Sequence, residues 1–142
     1  MPGTVFVDTG AHYALVDSGD PEHIASRTLL TSCVTAKRSL LTSDLVLGET
    51  YTLIQSRLGK ALALSYCGKI RMETEWVAPV TAEDIGRAWG ILADYADQDF
   101  SFVDATSFAL MERLGLSVAF AFDHHFDVFR TRHGVPFTRL LP

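Results

Sequence analysis

SVAFAFDHHF, residues 117–126, passes from an almost wholly apolar run straight into an acidic, histidine-bearing turn. A strand without polar alternation must be covered on both faces, as strands of parallel sheets are. Ser117–Phe122 therefore reads as a buried strand that ends on Asp123. The start of the chain has the same form. Thr4–Val7 (TVFV) is a short strand-like run, and Asp8 follows it directly. In open sheets of this type, sites form outside the carboxyl ends of the strands. Asp8 and Asp123 thus belong at one rim of one sheet.

Working outward, short β-like runs alternate with helical patterns. Ser39–Thr42 (SLLT) reads as the second strand. A third lies within EWVAPV, residues 75–80, and ends near Pro79. A helix opens at Asp20-Pro21, with Asp20 as N-cap and Pro21 at the first helical position. Asp44–Leu58 is helical and stops at Gly59. Another helix follows to about Met72. Thr81 caps a helix with Ile85, Trp89 and Leu92 on one face. Val103–Leu114 is helical and ends at Gly115, and a last short strand runs over Phe137–Arg139. The repeated strand-then-helix order predicts an α/β fold, a parallel sheet with helices on both sides.

The 142 residues suit a single domain, taken as 1–142. With 48% hydrophobic and 20% charged residues, the chain has material for a proper core. No apolar run approaches the ~18 residues of a membrane span. The opening MPGTVFVDTG lacks a charged n-region and a long apolar h-region, so it reads as a first strand and not as a secretion signal. Cytoplasmic residence is the expectation. Cys33 and Cys67 lie in helical patterns and read as free buried thiols. The formal net charge of −5 is not the basic footprint of a nucleic-acid binder. Bound cations would reverse the local field. Arg130, Arg132 and Arg139 in RTRHGVPFTR either contact phosphates or lie on a solvated surface.

Four carboxylates stand at the edge of apolar sequence, where an uncompensated charge is costly. They are Asp8 in VFVDTG, Glu49 in TSDLVLGET, Asp104 in FSFVDATSF and Asp123 in FAFDHHFD. Asp8 reads equally as the N-cap of a helix beginning near Thr9. Asp123 reads equally as a turn residue. Glu49 shares a helix face with Leu45 and Leu53, which should point inward. Ser101-Phe-Val-Asp104 is a capping-box pattern, and a helix N-terminus favours a carboxylate for capping and for metal binding alike. Taken together, the four predict a divalent-cation site built from oxygen ligands. A cation held this way suits hydrolysis of a phosphodiester.

Asp99 and Asp127 extend the acidity, as supports for a second ion or as solvated surface. His125 is a candidate for a phosphate or carboxylate contact, against plain packing at the strand exit. Thr9, Ser43 and Thr106 are hydroxyls beside the acidic positions, and each also reads as a helix cap. A zinc site would need three or four nitrogen or sulfur ligands, so Mg²⁺ or Mn²⁺ fits better. No phosphate-binding GxxxxGK[ST] loop, GxGxxG turn or GxSxG elbow occurs.

VDTGAHYAL, LVLGETYTL, DQDFSFVDATSFALMERLG and AFAFDHHF together resemble the PIN-domain family, most closely its VapC-type ribonuclease toxins of prokaryotic toxin–antitoxin pairs. The resemblance runs from Asp8 to the closing FTRLLP. It implies a three-layer α/β/α sandwich with a central parallel sheet. It implies Mg²⁺- or Mn²⁺-dependent cleavage of RNA, homodimerisation, and a partner antitoxin. The family's acidic positions fall on Asp8, Glu49, Asp104 and Asp123. Asp8, Asp104 and Asp123 are taken as direct ligands, and Glu49 as a ligand or as the group that orients water. The rival readings are a non-catalytic RNA- or protein-binding module and another Mg²⁺-dependent phosphoryl-transfer enzyme. A phosphoacceptor receiver domain would show an acidic pair on strand one and a late lysine, and neither is present.

Overall fold

Strand β1 (Val5–Val7) is the middle of the sheet, and all of its residues are buried. The computed structural model describes residues 3–73 and 75–142. Around β1 stand β2 (Leu40–Ser43), β3 (Val77–Ala78), β4 (Val118–Phe120) and β5 (Thr138–Leu140). Their order is β3-β2-β1-β4-β5, and every pairing is parallel. Val5 lies opposite Leu40 on one side and Val118 on the other.

The helices are α1 (Thr9–Val16), α2 (His23–Thr35), α3 (Asp44–Leu58), α4 (Lys60–Met72), α5 (Ala82–Asp94), α6 (Phe102–Leu114) and α7 (His125–Val128). Alternation along the strands divides them into two layers. Phe6, Leu41 and Ala119 face Ala88 and Ile91 of α5, Phe108 and Met111 of α6, and Phe126 of α7. Val5, Val7, Leu40 and Phe120 face Ala11 of α1 and Cys33 of α2. A third cluster joins Tyr13 of α1, Ile54 of α3, and Ala63, Cys67 and Ile70 of α4. The expected three-layer sandwich is therefore the observed one. Cys33 and Cys67 are free and buried, as read from the sequence.

Aromatic packing fixes the segment after β4. Phe108 stacks on Phe129 with centroids 4.9 Å apart and planes at 11°, and meets Phe126 edge-on at 5.0 Å. Each such fully buried side chain contributes about 1.5–3 kcal/mol. Phe126 within α7 and Phe129 just after it are both fully buried, so the turn carrying Asp123 is anchored from its far side.

Local signals place several boundaries as expected. Helix α3 spans Asp44–Leu58 and ends at Gly59, whose φ of +98° is open to glycine. Helix α6 ends at Gly115 in the left-handed region. Other boundaries and faces move. Helix α2 begins at His23, because Asp20 closes a turn first: its Oδ1 accepts from Glu22 N at 2.8 Å. Helix α5 turns Asp84, Ala88 and Ile91 inward, leaving Ile85 half out and Trp89 61% exposed. Asp84 sets that rotation. It closes the capping box with Thr81 and receives Arg113 Nε and Nη2 at 2.8 and 2.9 Å. Trp89 leans instead on Phe102, with centroids 4.9 Å apart.

Candidate active site

The sheet order reverses direction at β1, which has β2 on one side and β4 on the other. That makes the crevice beyond the carboxyl ends of β1 and β4 the switch point where ligands collect. Asp8 follows β1 directly, whereas β4 ends at Phe120, short of the expected Ser117–Phe122, so Ala121 and Phe122 separate Asp123 from the strand end. Asp8 N donates to Phe120 O at 3.0 Å, locking the end of β1 to β4. Asp8 occupies the N-cap position of α1 with extended backbone, yet its carboxylate makes no capping bond. The capping reading of this side chain therefore fails, and a buried carboxylate is left without that use. Its pKa is pushed up to about 7, first by burial and then by the charge of Asp104, with Glu49 and Asp123 adding. The Thr9 backbone N–H is the opposing influence.

Asp104 does cap its helix. Ser101 Oγ accepts from Asp104 N at 2.9 Å, and Asp104 Oδ2 accepts from Ser101 N at 3.0 Å. The box uses one oxygen, so Oδ1 is left free of protein donors among the described residues. Burial raises the Asp104 pKa and Asp123 adds to that, while the Ser101 N–H and His125 oppose it. Asp123 turns back on its own chain, Oδ1 accepting from His125 N at 2.9 Å. His125 Nδ1 lies 3.1 Å from both Asp104 Oδ2 and Asp123 Oδ1, so the imidazole bridges two carboxylates. Its ring stands edge-on to Phe100 at 5.1 Å. Packing and a polar role thus coincide in His125.

Glu49 arrives differently from its expected course. The buried face of α3 is Val46, Leu47, Thr50 and Ile54, so the stripe of Leu45, Glu49 and Leu53 lies at the margin. Glu49 is exposed. Thr9 Oγ1 reaches it, donating to Oε1 at 2.7 Å. The hydroxyl at position 9 therefore links α1 to α3.

The remaining candidates separate. Ser43 is the N-cap of α3, its Oγ accepting from Val46 N at 3.0 Å, and Thr106 Oγ1 donates to Val103 O at 2.8 Å. Both serve their own helices. Asp99 is exposed on the loop before α6. Asp127 receives Arg139 Nη2 at 2.8 Å, which lowers its pKa. Arg130 Nη1 donates to the carbonyls of Asp127, Val128 and Phe129. Two of the three arginines of the C-terminal stretch are thus turned onto the protein.

His12 is a participant that sequence reading passed over. It is buried, and burial lowers its pKa to about 4. Thr42 Oγ1 donates to Val7 O at 2.9 Å, so it must accept from His12 Nε2 at 3.2 Å. His12 Nδ1 then accepts from Tyr66 O–H at 2.8 Å. This directed chain ends on the carbonyl immediately before Asp8. It satisfies Val7 where β1 and β2 part, since a buried carbonyl needs a partner. The single local hint is that His12 lies one helical turn beyond Asp8.

Among the described residues, no lysine or arginine forms an ion pair with Asp8, Glu49, Asp104 or Asp123. Clustered, partly buried carboxylates without a cation of their own are the donor set of a hard divalent ion. A tighter group, Asp123, His124 and His125, has ligand atoms within 4.8 Å of one another. Two imidazoles and a carboxylate match a three-ligand zinc set in type, but His124 is 73% exposed and His125 Nδ1 already faces Asp104 and Asp123. Among the described residues, no helix is long and apolar enough to cross a membrane.

The PIN-domain family profile matches residues 5–131. The 23S rRNA-specific endonuclease VapC20 of Mycobacterium tuberculosis is 40% identical over 124 residues, spanning 87% of this chain and 92% of that protein. Ribonuclease VapC26 of the same species is 27% identical over 135 residues, spanning 94% and 98%. The crystal structure of M. tuberculosis VapC20, described as a sarcin-ricin loop cleaving toxin, superposes with a TM-score of 0.78. It is 38% identical, covering 87% of this chain and 93% of that one.

Proposed function

The chain belongs to the PIN-domain family, and on that premise we propose that it is a divalent-metal-dependent endoribonuclease, the toxin of a toxin–antitoxin pair, built as one nuclease domain over residues 1–142. The observation that carries this reading is geometric: His125 Nδ1 lies 3.1 Å from an oxygen of both Asp104 and Asp123, Asp8 is tied to the end of β4 through Phe120 O, and Thr9 beside it holds Glu49. Like charges gathered at one rim favour a bound cation over the empty cluster.

A bound Mg²⁺ or Mn²⁺ supplies charge neutralisation and a more acidic water for attack on phosphorus. Asp8, Asp104 and Asp123 are assigned to hold it. Asp104 keeps Oδ1 for that purpose while Oδ2 holds the helix cap. Glu49, held by Thr9, shares the ion or orients the attacking water. His125 holds Asp104 and Asp123 in fixed relation. The substrate is RNA. The activity of the M. tuberculosis relative makes 23S rRNA the first target to test. The protein would act in the cytoplasm as a homodimer, with an antitoxin protein as its inhibitor.

The test is incubation of the purified protein with a ribosomal stem-loop RNA and an unstructured RNA, with and without Mn²⁺, mapping any cut. Metal-dependent cleavage that disappears in Asp8→Asn and Asp104→Asn is expected. Cleavage unchanged in both variants would overturn the assignment of these residues.

A further inference from the structure

The turn between β4 and α7 carries Asp123, and one side chain from β5 spans it. Arg139 is only 17% exposed. Its Nη1 donates to Phe122 O at 3.0 Å, the carbonyl directly before Asp123. Its Nε lies 3.1 Å from both oxygens of Asp127, and Nη2 donates to Asp127 Oδ2 at 2.8 Å. Three guanidinium nitrogens thus donate into the two ends of a six-residue segment whose second residue is Asp123. The planar fork of arginine suits this, because its donors are fixed relative to one another.

We propose that Arg139 is a positioning residue for Asp123, holding the turn in the form that presents this carboxylate to a divalent cation. The inference rests on the reading of Asp123 as a metal-binding residue. Two facts support it beyond the contacts themselves. The bonds that the turn makes internally are short-range: Asp123 Oδ1 with His125 N, and Phe126 N with Asp123 O at 3.4 Å. Arg139 adds a link from β5 to the one that His125 makes with Asp104 of α6. It also brings a positive charge near Asp123, in a cluster with no paired lysine or arginine among the described residues, and it does so without pairing directly with the four carboxylates. Partners that orient metal-binding groups are typically worth 10–100-fold in metal affinity or activity.

The experiment titrates Mn²⁺ into RNA-free protein by calorimetry, and measures cleavage against Mn²⁺ and RNA concentration. In Arg139→Gln, Mn²⁺ binding should weaken about 10-fold, with most of the cleavage rate recovered at saturating Mn²⁺ and the KM for RNA unchanged. Arg139→Lys should show a similar loss, because an ammonium cannot span Phe122 O and both Asp127 oxygens. Asp127→Asn should shift Mn²⁺ affinity in the same direction by less. If Arg139→Gln does not fold, the other two variants carry the test. Unchanged Mn²⁺ affinity in a folded variant overturns the proposal. So does full recovery by lysine, which would make charge alone sufficient. A raised KM for RNA with a shallower salt dependence and normal Mn²⁺ binding would make Arg139 a phosphate contact instead. Asp123→Asn is the control: normal Mn²⁺ binding there would overturn the metal reading of Asp123 itself, independently of Arg139.

Discussion

Thr9 Oγ1 and Glu49 Oε1 are joined at 2.7 Å across forty residues of sequence. The donor is buried at the first position of α1, and the acceptor is an exposed acid of α3. The bond fixes a side chain that packing leaves free. Thr9→Val removes the donor at nearly constant shape. It should cost about 1 kcal/mol of stability and lower the cleavage rate several-fold by releasing Glu49. Thr9→Ser should retain both. Equal rates in the valine variant, from single-turnover cleavage, would show that Glu49 needs no tether.

The proposed metal role of Asp104 is separable from its observed capping role. Asn at this position keeps a carbonyl oxygen to accept from Ser101 N, whereas Ala does not. Asp104→Asn should therefore lose metal-dependent cleavage while unfolding in urea near the parent midpoint. Asp104→Ala should lose cleavage and about 1 kcal/mol of helix-cap stability besides. Matching urea midpoints for the two variants would contradict the capping role.

Asp8 and His12 impose opposite pH dependences on the metal-free protein. Asp8 has a folded pKa near 7 against an ordinary 3.8, so its stabilising contribution is full below about 3.8 and is lost as pH rises to about 7. His12 has a folded pKa near 4 against 6.5, so its contribution is full above about 6.5 and is lost as pH falls to about 4. Each slope is about 1.4 kcal/mol per pH unit. Between about pH 4 and 6.5 they offset one another. Asp8→Asn should expose the histidine, with stability falling as pH drops. His12→Gln should expose the aspartate, with stability rising over the same interval. Chemical denaturation at both ends of the interval in EDTA checks this, and parallel trends in the two variants would refute it.

Metal binding should appear as stability before it appears as catalysis. A ligand at a hundredfold its Kd stabilises the folded state by about 2.7 kcal/mol. Mn²⁺ should therefore raise the Tm of the parent protein. Asp8→Asn should melt higher than the parent in EDTA, because a desolvated, repelled charge is gone, and should respond little to Mn²⁺. A full Mn²⁺ response in that variant would place the ion elsewhere, with Asp123, His124 and His125 as the next site to test.

Much of this fold is legible locally. Gly59 and Gly115 end their helices where the chain demands positive φ, and the two capping boxes announce α5 and α6. The strand-end placement of Asp8 follows from an apolar run that stops on an acid, whereas the run before Asp123 outlasts β4 by Ala121 and Phe122. What is not legible depends on contacts between distant segments. The rotation of α5 comes from Arg113 reaching back to Asp84, so Trp89 points outward although the local pattern groups it with Ile85 and Leu92. Glu49 lies at the margin because α3 packs on α1 and α4 together, and a single helix pattern does not reveal which of two apolar faces wins. His12 gains its meaning only from Thr42 and Tyr66. Asp127 and Arg139 look like a spare acid and a spare base until the sheet sets them side by side.

The order of the strands has a consequence for the cell that makes the protein. Both neighbours of β1 are contributed later in the chain, and the partner on one side, β4, arrives after most of the polypeptide has been synthesised. A nascent chain on the ribosome therefore holds Asp8 beside an unfilled sheet edge, with Asp123 still to emerge. On the proposed assignment the cluster forms only once Asp123 has emerged, so a translation product truncated before it should not cleave RNA.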